Sequence, residues 1–216
     1  MKVGIIGAGT MGSGIAQAFA QTEGFEVCLS DVKAEWAAGG KAKIEKQLSK
    51  RVAKGKMEQS AADAILAKIT TGTNEIVKDC DLVVEAALEK MDVKQGIFKE
   101  LQGICKPDTI FASNTSSLSI TEISKGLDRA VVGMHFFNPA PVMKLVEVIA
   151  GETTAPETVE KVIEIAKAIG KTPVQVKEAA GFVVNRILVP MINEAVGIYA
   201  AGTASVEDID TAMKLG

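Results

Sequence analysis

His135 is the only histidine in a chain of 216 residues. Its imidazole has an ordinary pKa of about 6.5, so it can take a proton from an alcohol and return it near neutral pH. Glu147 follows twelve residues later; a carboxylate there could accept a hydrogen bond from the ring and stabilise its charged form, or be an ordinary surface glutamate. Ser116 and Asn185 add a hydroxyl and an amide, groups suited to holding a substrate oxygen whose charge changes as its proton is taken or returned. Ser116 could instead cap a helix beginning near Ile120, and Asn185 could settle a helix junction; spacing leaves both alternatives open.

A second group of residues lies at the start of the chain. VGIIGAGTMG (residues 3–12) reads as a buried strand running into a glycine-rich turn and a helix. Gly7 would allow the tight turn, Gly9 the approach of backbone to a pyrophosphate, and Gly12 close packing of helix on strand. The helix start at Thr10 and Met11 would then point at negative charge. Such a motif alone is weak, but its context here is complete. Met11, Ile15 and Phe19 follow at helical spacing, and a second strand over residues 25–30 ends in Asp31, nineteen residues past Gly12. A carboxylate at that place binds a ribose 2′-hydroxyl and repels a 2′-phosphate, which favours NAD over NADP, with Lys33 tempering the preference.

Lys43, Lys46, Lys50 and Lys54 recur three and four apart, with Arg51 and Lys56 nearby. That spacing lines one helix face with ammonium groups: a solvated face, or a local site for a phosphate-rich small molecule in a chain whose net charge is −3. The overall charge argues against nucleic acid as the main partner. Cys28, Cys80 and Cys105 are odd in number, far apart and without a CxxC pair, which points to no disulfide framework, no metal site and a reducing cytoplasm. Met1 and Lys2 lead straight into the first strand, leaving no room for a signal peptide. The most apolar late stretch is interrupted by Pro190, Asn193 and Glu194, so no membrane span is expected.

The elements that must position these residues alternate. A lysine-rich helix over residues 34–54 and a shorter one over 61–68 lead to a strand at 69–71; buried strands follow at 81–87, 109–112, 129–136, 144–149 and 172–176. Helices are expected over 93–101 and 156–169, the latter closed by Gly170. The polar cluster at 113–117 and the one at 135–139 both fall at strand ends. This pattern predicts an α/β fold with a Rossmann-type, doubly wound, mostly parallel sheet and ligands outside the carboxyl ends of the strands. From Phe182 on the pattern is helical only, with Val184, Leu188, Ile192 and Val196 four apart and a second helix opening at Ser205. We therefore expect a dinucleotide-binding domain over residues 1–181 and, over 182–216, the beginning of an all-helical domain, too short for a core of its own and apparently truncated.

With these stretches in view, the chain resembles the short-chain 3-hydroxyacyl-CoA dehydrogenase family, particularly its bacterial 3-hydroxybutyryl-CoA branch. The resemblance runs along the whole chain and is most specific in residues 3–12, in FASNTSSL (111–118), in HFFNPAPVM (135–143) and in GFVVNR (181–186). It implies a catalytic pair at His135 and Glu147, substrate orientation by Ser116 and Asn185, and NAD contacts at the glycine loop, Asp31, Glu89, Lys94, Ser116 and Asn138. More loosely, it implies CoA contacts at Lys50 and Lys54. The implied reaction interconverts (S)-3-hydroxybutyryl-CoA and acetoacetyl-CoA, with a homodimer as the family's complete assembly. The rivals are a β-hydroxyacid dehydrogenase on a free acid, which commonly uses lysine in place of the histidine; a non-catalytic NAD-binding sensor or crystallin-like relative; and a piece of a multifunctional fatty-acid oxidation protein.

Overall fold

A computed structural model describes all 216 residues. Eight strands, β1 (Lys2–Ile6), β2 (Glu26–Ser30), β3 (Ile69–Gly72), β4 (Leu82–Glu85), β5 (Ile110–Ser113), β6 (Val131–Phe136), β7 (Leu145–Ala150) and β8 (Thr172–Lys177), form one sheet in the spatial order β3-β2-β1-β4-β5-β6-β7-β8. Every neighbouring pair is parallel except β6 with β7. The strand order reverses between β1 and β4, and such a switch point opens a crevice at the strands' carboxyl ends.

The near-continuous apolar strands are explained by burial on both faces. Val3 and Ile5 of β1, Val27 and Leu29 of β2 and Leu82 and Val84 of β4 pack into one layer with Ile15, Phe19, Ile44, Leu48, Val159 and Val162. The alternate residues Ile6, Cys28 and Val83 pack into the opposite layer with Phe98, Leu101, Ile120 and Ile123. Helices α1 (Thr10–Ala20), α2 (Ala34–Ala53), α3 (Gln59–Ala67) and α6 (Pro156–Ala168) thus cover one face, and α4 (Met91–Ile104) and the short α5 (Ile120–Ile123) the other. The three cysteines are free and buried.

Local signals account for the ends. Pro156 stands at the start of α6, where its missing N–H costs nothing, and the chain leaves that helix through Gly170 at φ +71°. The last two helices are α7 (Val184–Ala200) and α8 (Val206–Leu215); Ser205 caps α8 by accepting from the Asp208 N–H. Pro190 does not end α7, which runs through it. Neither helix buries any residue, and Leu188, Ile192 and Val196 are exposed. No helix is long and apolar enough to cross a membrane.

Candidate active site

The antiparallel turn of the sheet from β6 to β7 sets His135 directly opposite Glu147. Glu147 is third in β7. Because β7 runs backwards, its start shares a sheet edge with the carboxyl end of β6. His135 Nδ1 lies 2.8 Å from Glu147 Oε2, and both side chains are almost fully buried. The other oxygen, Oε1, accepts from the N–H groups of Val183 and Val184 at 3.0 Å each, where α7 begins. Glu147 is thus held at both oxygens. An ionised carboxylate only accepts, so it favours Nδ1 as the donor to Glu147 and leaves Nε2 as the ring nitrogen available for proton exchange. Phe137 and Phe182 flank the imidazole, with ring centroids 4.5 and 5.6 Å away. Phe182 takes φ +52°, the one non-glycine in the left-handed region, immediately after Gly181 at +73°. This bend turns the chain off the sheet and aims the first N–H groups of α7 at Glu147.

Asn185 Nδ2 donates to the backbone oxygen of Ser116 at 3.1 Å, so the structure joins two residues 69 apart in sequence. Ser116 does not cap the next helix; Ser119 does, accepting from the Glu122 N–H. The Ser116 hydroxyl is therefore not spent on that role. Asn114 also has a fixed task, accepting from the Phe136 N–H at 2.8 Å and tying the end of β5 to the strand that carries His135.

At the switch point, Gly7 takes φ +95°, and a Cβ there would stand 2.8 Å from the Ala86 oxygen. A Cβ on Gly12 would stand 1.7 Å from the Gly7 oxygen, so helix and turn touch backbone to backbone. No side chain caps α1, whose start at Thr10 and Met11 is left for an anion. Beside Gly9 a Cβ would meet nothing within 4 Å: the loop faces open space. Asp31 accepts from the Ala8 N–H through Oδ2 and from the Val32 N–H through Oδ1, each at 2.8 Å, which fixes its carboxylate against the loop with lone pairs to spare. These features fit the pyrophosphate and ribose of a dinucleotide.

Glu89 and Lys94 meet beside the β5 end. Lys94 Nζ, buried, lies 3.1 Å from Glu89 Oε2, while Glu89 Oε1 accepts from Thr115 Oγ1 at 2.6 Å and from the Ser116 N–H at 2.7 Å. Burial pushes the Glu89 carboxyl up, but Thr115, Lys94 and Ser116 together outweigh it and hold the group below its ordinary value. Asn138 is exposed just past β6. Lys50 lies exposed near the end of α2 and Lys54 one step beyond it, on the helix surface away from the buried stripe of Ala37, Gly40, Ile44 and Leu48. No contact joins these two lysines to the groups around His135. A cavity of about 590 Å³ beside Thr121, Ser124 and Arg129 contains neither His135 nor the glycine loop.

Two further positions carry no role in the sequence pattern: Glu85 ends β4 fully buried, and Lys171 donates to the oxygens of Ala140 and Met143 at 2.6 and 2.8 Å, clamping the loop after His135. A glutamate closing an otherwise apolar run was a readable signal for Glu85. Nothing in the sequence marked Lys171.

The switch-point glycine turn and the histidine–carboxylate pair across β6 and β7 define a nicotinamide-dependent dehydrogenase of the doubly wound type. More particularly, the model of the 3-hydroxyacyl-CoA dehydrogenase NAD binding domain matches residues 2–179 and that of the 3-hydroxyacyl-CoA dehydrogenase C-terminal domain matches residues 181–216; the chain belongs to this family. It is 54% identical to 3-hydroxybutyryl-CoA dehydrogenase of Clostridioides difficile, over 100% of this chain and 78% of that protein. It is 48% identical to mitochondrial hydroxyacyl-coenzyme A dehydrogenase of Homo sapiens, over 99% of this chain and 71% of that one. Among solved structures, (S)-3-hydroxybutyryl-CoA dehydrogenase from Ralstonia eutropha superposes with a TM-score of 0.94 at 46% identity, covering 100% of this chain and 77% of that one.

Proposed function

We propose that the chain catalyses the reversible, NAD-dependent oxidation of (S)-3-hydroxybutyryl-CoA to acetoacetyl-CoA. The buried His135–Glu147 pair carries this reading, set at the same sheet edge as the glycine loop. The names of the relatives support the substrate. NAD, when bound along residues 7–12 and Asp31, supplies the hydride acceptor. His135 Nε2 takes the proton of the C3 hydroxyl as that carbon is oxidised, and Glu147 stabilises the imidazolium. Ser116 and Asn185 hold the reacting oxygen, an orientation effect that can be large. In the reductive direction the imidazolium returns the proton.

Lys50 and Lys54 are our candidates for the CoA phosphates, on the strength of their exposure and charge. Residues 1–181 form the cofactor domain and residues 182–216 belong to the helical part of the fold. The exposed apolar residues of α7 suit a homodimer, and three free cysteines suit a reducing cytoplasm. Purified protein is expected to oxidise NADH on addition of acetoacetyl-CoA. NADH binding without acetoacetyl-CoA-dependent turnover would instead favour a non-catalytic binder.

Asp31 sets the cofactor preference in this reading. Asp31→Asn should cut the kcat/KM preference for NADH over NADPH by roughly tenfold or more, because a carboxylate facing a phosphate is penalised by several kcal/mol. A ratio unchanged from that of the parent protein would remove Asp31 from that role.

A further inference from the structure

Glu85 belongs to none of the roles assigned above, yet it is the most heavily engaged carboxylate in the fold. It is fully buried at the last position of β4. Oε1 accepts from Lys94 Nζ and from the Ala87 N–H, each at 2.7 Å; Oε2 accepts from Lys94 Nζ at 2.9 Å and from Ser113 Oγ at 2.6 Å. Each partner belongs to a segment that faces the proposed cofactor crevice. Ala87 follows the Ala86 oxygen that walls Gly7. Ser113 is the cross-strand partner of Glu85 and accepts from the Thr115 N–H at 3.2 Å. Lys94 continues to Glu89, which accepts from Thr115 and Ser116.

The contacts therefore close a ring: Glu85 to Lys94, Lys94 to Glu89, Glu89 to Thr115 and Ser116, Thr115 to Ser113, and Ser113 back to Glu85. Charge-assisted hydrogen bonds are short and strong, and a buried ammonium has no water to replace a lost partner. Were the role of Glu85 only to neutralise Lys94, one oxygen would suffice. Instead it spends both on four contacts that lock the ends of β4 and β5 together.

We infer that Glu85 is a positioning residue: acting through Lys94 and Ser113, it sets Glu89, Lys94 and Ser116 in the geometry that receives the dinucleotide. This rests on the reading that NAD binds at these strand ends. Glu85→Gln keeps the shape and removes the charge. It also puts an amide N–H where Lys94, Ser113 or the Ala87 N–H already donates.

The test is NADH affinity by fluorescence titration, with thermal melting, on the parent protein, Glu85→Gln, Lys94→Gln and the double variant. We expect Glu85→Gln to weaken NADH binding roughly tenfold, the scale of one lost hydrogen bond to a charged group. The double variant should lose less affinity than the two single losses combined, because part of the effect of Glu85 passes through Lys94. A lowered melting temperature with parent affinity in the folded protein would make Glu85 merely structural and overturn the inference, as would losses that multiply in the double variant. Should Glu85→Gln not fold, Ser113→Ala removes one donor from the same carboxylate. It should weaken binding by about threefold, half or less of a full charged hydrogen bond; unchanged affinity there would also overturn the inference. A parent protein that does not bind NADH overturns the cofactor reading and this inference together, whereas NADH binding that ignores both substitutions overturns this inference alone.

Discussion

Replacing His135 by glutamine is expected to lower kcat for acetoacetyl-CoA reduction by about 10²- to 10⁴-fold, the usual contribution of a positioned general acid or base. NADH affinity should stay within about twofold, because a catalytic proton carrier stabilises the transition state and adds little to ground-state binding. The structural argument has three parts. The imidazole is fixed, with Nδ1 2.8 Å from Glu147 and Phe137 and Phe182 on its flanks. Its orienting carboxylate is itself fixed by two N–H groups of α7. The remaining nitrogen, Nε2, has no partner in the protein, so it is the one free to exchange a proton. Glutamine fills a similar volume and can still hydrogen-bond to Glu147, but its amide does not titrate in this range. Near-normal turnover by the variant would remove His135 from the mechanism. Loss of NADH affinity in step with kcat would show that the substitution disturbed the fold rather than the chemistry.

The same residues show how much a sequence discloses. The parallel strands were legible because burial on both faces writes an uninterrupted apolar run, and the glycine turn because residues 3–12 carry strand, turn and helix in one stretch. His135 and Glu147 were legible as candidates, but their contact depends on β7 running antiparallel in an otherwise parallel sheet. No local pattern distinguishes that direction, since both kinds of strand here are apolar and short. The second anchor of Glu147 was hidden for a different reason. The N–H groups of Val183 and Val184 are backbone, and only the bend at Gly181 and Phe182 aims them. Ser116 and Asn185 are likewise joined only in the fold, one past the end of β5 and the other on α7, whereas Glu85 and Lys94 stand on consecutive elements, β4 and α4.

Two single methyl groups in the opening loop should separate the cofactor's space from the protein's own. Gly12→Ala places a Cβ 1.7 Å from the Gly7 oxygen, a backbone atom that cannot swing aside as a side chain can. Either α1 lifts from β1 or the turn at Gly7 distorts. We expect a loss of roughly 1–3 kcal/mol in stability, the range for overpacked interiors, and a fall in NADH affinity beyond about a hundredfold, since the loop and the helix start that meet the pyrophosphate move together. Gly9→Ala differs in kind. Gly9 has φ −71° and ψ −164°, an extended backbone open to alanine, and the added Cβ meets no protein atom within 4 Å. Its melting temperature should match that of the parent, yet its NADH affinity should also fall, because the space the methyl enters is where the pyrophosphate approaches the backbone. Gly12 serves the contact between helix and strand, whereas Gly9 serves only a ligand. Unchanged NADH binding by Gly9→Ala, measured by the same titration, would mean that the open side of the loop is not where the dinucleotide lies.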